Sequence, residues 1–235
     1  SIINKKINQE MAGLDLQYNI NNFSTFSLTI NPDFGQIEQD PSEINLTGYE
    51  TYFEEKRPFF VQGASFFNSW LRLFNSRRIG RRPNFNEPSS GEIVDQPNET
   101  TILSAAKVLG QTESGIKYGI INAVTGQEYG TREFESNGIT KKDRFLIEPY
   151  SNYFVGRFTK PIVNDLSTVG FMATDLHRSG QNVKASSFKG DWLLNLMENR
   201  LEFTGEYATT INEENGYAGR LRLSYRDPSF WEIAT

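Results

Sequence analysis

The sequence predicts an all-β protein, an antiparallel meander of hairpins. Three observations carry the prediction. Apolar and polar residues alternate with period two through many separate stretches. Hydrophobic residues make up only 37% of the 235 residues while aromatic residues make up 13%, a balance that suits alternating strands better than a bulky solid core. And no stretch approaches the roughly 18 consecutive apolar residues of a spanning helix. Any membrane role would therefore use a closed barrel, the other way to satisfy a backbone in lipid.

The first strand is read at Leu14-Asp15-Leu16-Gln17-Tyr18-Asn19-Ile20, with Leu14, Leu16, Tyr18 and Ile20 on one face. Asn21-Asn22 supplies a turn. The returning strand sets Phe26, Leu28 and Ile30 against Thr25, Ser27 and Thr29, which completes a hairpin. The grammar recurs at Ile116, Tyr118 and Ile120, and less cleanly at Val169, Phe171 and Ala173. It recurs again at Leu201, Phe203, Gly205 and Tyr207, and at Tyr217, Gly219, Leu221, Leu223 and Tyr225. In all, roughly ten strands of about 8–12 residues are expected, near the length a tilted spanning strand needs. Asn21-Asn22 and Met197-Glu198-Asn199-Arg200 read as tight connectors. Asn84 to Thr100, Tyr129 to Phe145 and Ile211 to Gly216 read as longer ones. Short turns at one rim and long loops at the other fit part of a large transmembrane outer-membrane β-barrel. A soluble sandwich can show the same alternation.

Composition excludes several functions. Net charge is −5, from 24 basic and 29 acidic residues, so there is no basic field for nucleic acid. Cysteine is absent, which removes disulfides, thiolate metal sites and a cysteine nucleophile. His177 is the single histidine, so no multi-histidine metal site can form, and no nucleophile-elbow pattern supports a Ser-His-Asp triad.

The alternation breaks from Asn31 to Gly63. Here stand Asn31-Pro32-Asp33-Phe34-Gly35-Gln36-Ile37-Glu38-Gln39-Asp40-Pro41 and Tyr52-Phe53-Glu54-Glu55-Lys56-Arg57-Pro58-Phe59-Phe60-Val61-Gln62-Gly63. Ser76-Arg77-Arg78-Ile79-Gly80-Arg81 and Thr101-Ile102-Leu103-Ser104-Ala105-Ala106-Lys107 follow. In this order the strings resemble the barrel portion of the family catalogued as domain of unknown function 5916. Its members are outer-membrane proteins of Bacteroidetes-type bacteria, with an N-terminal domain like family 9 carbohydrate-binding modules. The resemblance runs from about Gly13 to about Phe203. Gln39 stands where the family often has alanine, and Glu54 where it often has proline. The resemblance implies a barrel that continues past Thr235 and a domain before Ser1. It implies no reaction: the hydrolase label of some members follows the carbohydrate-binding-like domain rather than a demonstrated site. On this reading residues 1–235 are one β-barrel region, a fragment, in which 31–100 carries inserted lumenal or rim segments and a long loop. The abrupt ending at Phe230-Trp231-Glu232-Ile233-Ala234-Thr235 points the same way.

The candidate site is a lumenal charge network. Asp33, Glu38, Asp40, Glu54 and Glu55 supply carboxylates, and Arg57, Arg77, Arg78 and Arg81 supply guanidiniums that match them bidentately. Such a network would hold an inward-folded segment against the wall, or form a charged constriction that selects solutes. Calcium binding by Asp33, Glu38 and Asp40 is the lesser alternative, because the spacing of a calcium-binding loop is absent. On later strands Glu202, Glu206, Arg220, Arg222 and Arg226 would face the lumen, with Glu202 or Glu206 within salt-bridge distance of an arginine, while their apolar neighbours face lipid. Among 29 acidic residues some pair will always suit glycoside hydrolysis, so no catalytic residue is assigned. Trp70, Trp192 and Trp231 could stack on sugars, but an interfacial aromatic girdle is the plainer account.

The function expected from sequence is an outer-membrane β-barrel protein with a transport-like, scaffold or surface-anchoring role, located in the bacterial outer membrane. Its partners would be outer-membrane lipid and further strands of the same protein or another membrane-protein chain, with glycan a further candidate. No cofactor, metal or nucleic acid is expected. The alternatives are a soluble β-sheet carbohydrate-binding module and a glycan-acting hydrolase.

Overall fold

A computed structural model describes residues 13–32, 54–84, 86, 88, 90–180, 184–212, 215–226 and 232–234. The main element is one antiparallel sheet of ten strands. In spatial order these are β1 (Leu14–Asn21), β2 (Ser24–Ile30), β4 (Ile102–Gln111), β5 (Lys117–Thr125), β8 (Ser151–Ile162), β9 (Asn164–Arg178), β10 (Lys184–Leu196), β11 (Leu201–Ile211), β12 (Gly216–Arg226) and β13 (Glu232–Ala234). A second sheet of three strands is built from β3 (Glu92–Asp95), β6 (Glu128–Ser136) and β7 (Ile139–Glu148). The expectation of an antiparallel meander of hairpins holds. The ten-stranded sheet is open: β1 and β13 lie at its two edges and do not pair with each other.

The connectors divide by end. At one end of the sheet the chain turns through 22–23, 112–116, 163 and 197–200. At the other end the chain leaves β2 and returns at β4, leaves β5 and returns at β8, and passes from β9 to β10 and from β11 to β12. The first hairpin turns at Asn22-Phe23, one residue later than read, because Asn21 stays in the strand and its Oδ1 accepts the Phe23 N–H at 2.8 Å. The stretch 129–145, read as a polar loop, is a hairpin. Asn137 and Gly138 both take positive φ (56° and 73°), the conformation that a two-residue turn between twisted strands requires. Its strands are charged on both faces, so the hydrophobic signal that marks other strands is missing.

Register sorts the side chains of the main sheet into two faces. On one face Tyr18, Phe26, Val108 and Ile120 stand opposite one another in turn, as do Phe158 and Phe171, and Phe203 and Leu223. Much of this face is exposed: Tyr18 by 62%, Phe171 by 49%, Leu221 by 65%. On the opposite face Ser27, Lys107, Ile121 and Val155 form one row, and Gly170, Asp191, Glu206 and Arg220 another.

That second face is covered by the chain itself. Residues 54–83 leave the strand rhythm and cross it. They contain two single helical turns, α1 (Pro58–Val61) and α2 (Ala64–Phe67), and a 3-10 turn at Ser76–Arg78. Pro58 opens α1, where its missing N–H costs nothing. Phe60, Phe67 and Ile79 are buried against Ile102, Ala105, Ile121, Ala123, Val155 and Met172 of the sheet, with Phe59, Phe66, Leu73 and Phe74 packed around them. Gly119 allows this approach: a Cβ there would come within 2.7 Å of the Phe66 and Phe67 rings. The covered face thus carries an apolar core beside the charged row of Asp191, Glu206 and Arg220. The strict polar face read from the alternation misses Ile121, Val155 and Met172.

Candidate functional site

Two polar clusters fasten residues 54–83. The first lies within the segment. The Glu55 carboxylate accepts the Arg57 N–H at 2.9 Å, Arg57 Nε at 2.8 Å, Arg57 Nη2 at 2.7 Å and the Ser76 hydroxyl at 2.6 Å. Arg57 also donates to the carbonyls of Ile79 (2.6 Å) and Ser76 (2.7 Å), and its guanidinium lies 4.4 Å from the centre of the Phe60 ring. One buried arginine thereby joins the strings 54–57 and 76–79. Burial alone would raise the Glu55 pKa, but the hydrogen bonds and charge of Arg57, with the Ser76 hydroxyl, outweigh it and hold the carboxyl below its usual range. Arg77 donates through Nε and Nη2 to the Glu54 carbonyl at 3.1 and 2.8 Å.

The second cluster joins the segment to the sheet. The buried Lys107 amine on β4 donates to the carbonyls of Phe59, within α1, and Gln62, just after it. Farther across, Lys189 on β10 donates to the Ser69 hydroxyl and lies 4.0 Å from the Glu206 carboxylate. Glu206 accepts the backbone N–H groups of Trp70 (3.2 Å) and Leu71 (2.7 Å). The Arg220 guanidinium sits 4.5 Å above the Trp70 ring. Beside this contact Arg157 and Asp191 form a buried ion pair at 2.5 Å, and the Asp191 carboxylate lies over Gly170, where a Cβ would collide with it.

Between residues 68–70 and strands β8 to β12 these groups leave a recess of about 390 Å³, of the size small-molecule sites have. Arg157, Arg220, Arg222, Asp191, Glu202 and Glu206 line it together with Trp70.

The sequence-derived network is therefore distributed over two places. Glu55, Arg57, Arg77 and the Glu54 backbone meet in the segment, and Arg78 belongs to the same 3-10 turn. The Arg81 carbonyl accepts from Thr100 N–H (3.0 Å) and hydroxyl (2.8 Å) nearby. Glu202, Glu206, Arg220 and Arg222 share the covered face and line the recess, and Glu206 and Arg220 are direct partners in register. Neither glutamate ion-pairs with those arginines among the described residues: Glu206 is turned to the segment's N–H groups and Lys189, and Arg220 to Trp70. Arg226 follows them along β12 at the short-turn end, where its N–H bonds the Arg200 carbonyl at 2.7 Å. Asp33, Glu38 and Asp40 lie outside the described residues.

Sequence reasoning missed Lys107, Arg157, Lys189 and Asp191. Period two was enough to find three of them: Arg157 alternates with Gly156 and Phe158, and Lys189 and Asp191 alternate with Phe188, Gly190 and Trp192. Trp70, named from sequence as an aromatic that could stack on sugars, had no periodic signal to place it, because it lies in the irregular segment. His177 is exposed and stands opposite Asn152, a position on the uncovered face. Among the described residues no three histidines, cysteines or carboxylates gather as metal ligands. No described helix is long and apolar enough to cross a membrane.

A family model described as "Domain of unknown function (DUF5916)" matches residues 3–229. No curated protein and no solved structure matches the chain.

Proposed function

The chain belongs to the DUF5916 family, and from that premise we propose that its sheet is part of the wall of a transmembrane β-barrel in a bacterial outer membrane, with a transport-like role in which residues 54–83 narrow the lumen. One observation carries the reading, the polarity of the two faces. A soluble sandwich buries its apolar face against a second sheet and leaves the polar face in water. Here Leu16, Tyr18, Phe171, Tyr207, Leu221 and Leu223 are exposed, and the face with Lys107, Arg157, Lys189 and Asp191 is the covered one. That arrangement is stable where the outer solvent is hydrocarbon and the interior is wet. The two largest excursions between neighbouring strands of the main sheet, 31–101 and 126–150, leave from the same end, which accords with it. A scaffold or surface-anchoring role would need the same wall, and the firm seating of residues 54–83 accords with it as well.

Trp192 and Trp70 test the proposal. Trp192 lies on the exposed face beside Phe203, with ring centres 5.9 Å apart, and Trp70 lies on the covering segment. Two single-tryptophan forms of the full chain, each retaining one of these residues, would be reconstituted in vesicles containing brominated lipid. Strong quenching of Trp192 and weak quenching of Trp70 are expected. Equal quenching, or a monodisperse protein that needs no detergent, would refute the membrane wall. Liposome swelling then separates transport from a scaffold, which would admit no solute.

A further inference from the structure

The charges of the recess are not balanced by use. Asp191 is taken by Arg157, which donates to its two oxygens at 2.5 and 3.2 Å. Glu206 is taken by two backbone N–H groups and Lys189. Of the carboxylates lining the recess, Glu202 is left over. The cationic side has more to spare. Arg157, whose side chain is only 10% exposed, uses Nη2 alone; its Nε and Nη1 are buried without a hydrogen-bond partner among the described residues. Arg220 rests on the Trp70 ring and has no carboxylate partner among the described residues. Arg222 lines the same recess, likewise with no ion pair or hydrogen bond among them. Arg220 and Arg222 thus keep forked donors without an acceptor at the recess, and an oxyanion is the acceptor that fits them.

From this imbalance we propose that the recess is a binding subsite for a small organic oxyanion. Its anionic group is received by Arg220 and Arg222, within the field of Arg157, and its body rests beside the Trp70 ring. The volume of about 390 Å³ admits a molecule about the size of a sugar acid and excludes a polymer chain from lying wholly within it. Carboxylate and phosphate share this chemistry, and the two are separated by the test. The proposal deepens the transport-like reading by naming the class of solute that the wall contacts.

Titration calorimetry on the full chain in detergent would use glucuronate, glucose and inorganic phosphate as probes, with the emission of Trp70 followed in parallel. Saturable binding of glucuronate is expected, with glucose at least about tenfold weaker, the loss that follows from removing one charged hydrogen-bonding group. Arg220→Gln and Arg222→Gln should each weaken glucuronate about tenfold, and Arg226→Gln, outside the recess, should leave it unchanged. Phosphate that binds as tightly as glucuronate assigns the site to oxyanions generally; phosphate that does not assigns it to carboxylates. Glucose binding as well as glucuronate, or no heat and no Trp70 response with any probe, would overturn the proposal. So would equal binding by the wild type and an Arg220→Gln/Arg222→Gln form. Failure here leaves the lipid quenching of Trp192 untouched, and failure of that quenching leaves the binding result standing, so the two readings fall separately.

Discussion

Single residues decide how firmly the covering segment is seated. Glu55 gathers four hydrogen bonds from Arg57 and Ser76, and both members of the Glu55–Arg57 pair are largely buried, their side chains 11% and 7% exposed. Because the folded-state pKa of Glu55 lies below its unfolded value, the pair's stabilisation is fully present above the ordinary glutamate pKa of about 4.3. It is lost as pH falls below that value and through the lowered folded one. Acidification should therefore loosen residues 54–79, seen as faster proteolysis within the segment. Glu55→Gln should abolish that pH step and weaken seating at neutral pH by about 1–3 kcal/mol, because a charged acceptor is removed from a buried guanidinium. A segment equally resistant at every pH above about 3, well below that ordinary glutamate value, would show that the aromatic contacts alone hold it.

At the scale of elements the segment and the sheet fit through small residues. Single helical turns of four residues such as α1 and α2 are not stable alone, so their form depends on what they dock against. Phe66 and Phe67 settle over Gly119, whose missing side chain makes the place for both rings. Gly119→Val would add a Cβ within 2.7 Å of both rings and two methyl groups beyond it. It is expected to lift α2 from the sheet, speed proteolysis within residues 54–83 and cost about 1–3 kcal/mol. The strand itself should persist, since valine favours extended backbone, and unchanged far-ultraviolet circular dichroism would confirm that. Unchanged proteolysis of the segment in Gly119→Val would mean that Lys107, Lys189 and Glu206 suffice to hold it. The glycines on the other face serve differently: the Trp192 ring lies over Gly205, and Tyr118 lies over Gly110 and meets the Ser24 hydroxyl at 2.8 Å.

For the molecule as a whole the open sheet matters most. β1 pairs only with β2, and along the other side of β1 its backbone groups have no strand partner among the described residues. In hydrocarbon each such unpaired group costs several kcal/mol, and Asp15 is the single charge on this edge strand that could discourage pairing. Residues 1–235 isolated in detergent are therefore expected to associate, appearing larger than a monomer by cross-linking and size exclusion. A heat- and protease-resistant monomer of these residues would show instead that the two edges can close on each other. Association would mean that the wall proposed above takes further strands, from the same protein or from another chain.

Period-two alternation determined by itself that the protein is a β-meander, and it placed Leu201, Phe203, Tyr207, Leu221 and Leu223 on one face and Glu202, Glu206, Arg220 and Arg222 on the other. This was legible because strand side chains alternate whatever lies around them. The same rule left the 128–148 hairpin hidden, where charges occupy both faces and only Asn137-Gly138 marks the turn. What tertiary structure alone decided is how the charges are partnered. Glu206 and Arg220 stand side by side in register, yet Glu206 serves the Trp70 and Leu71 N–H groups and Arg220 serves the Trp70 ring. A sequence cannot reveal that choice. It depends on an irregular segment whose Trp70 stands 136 residues before Glu206 in the chain, and which brings backbone donors in need of acceptors to the same face.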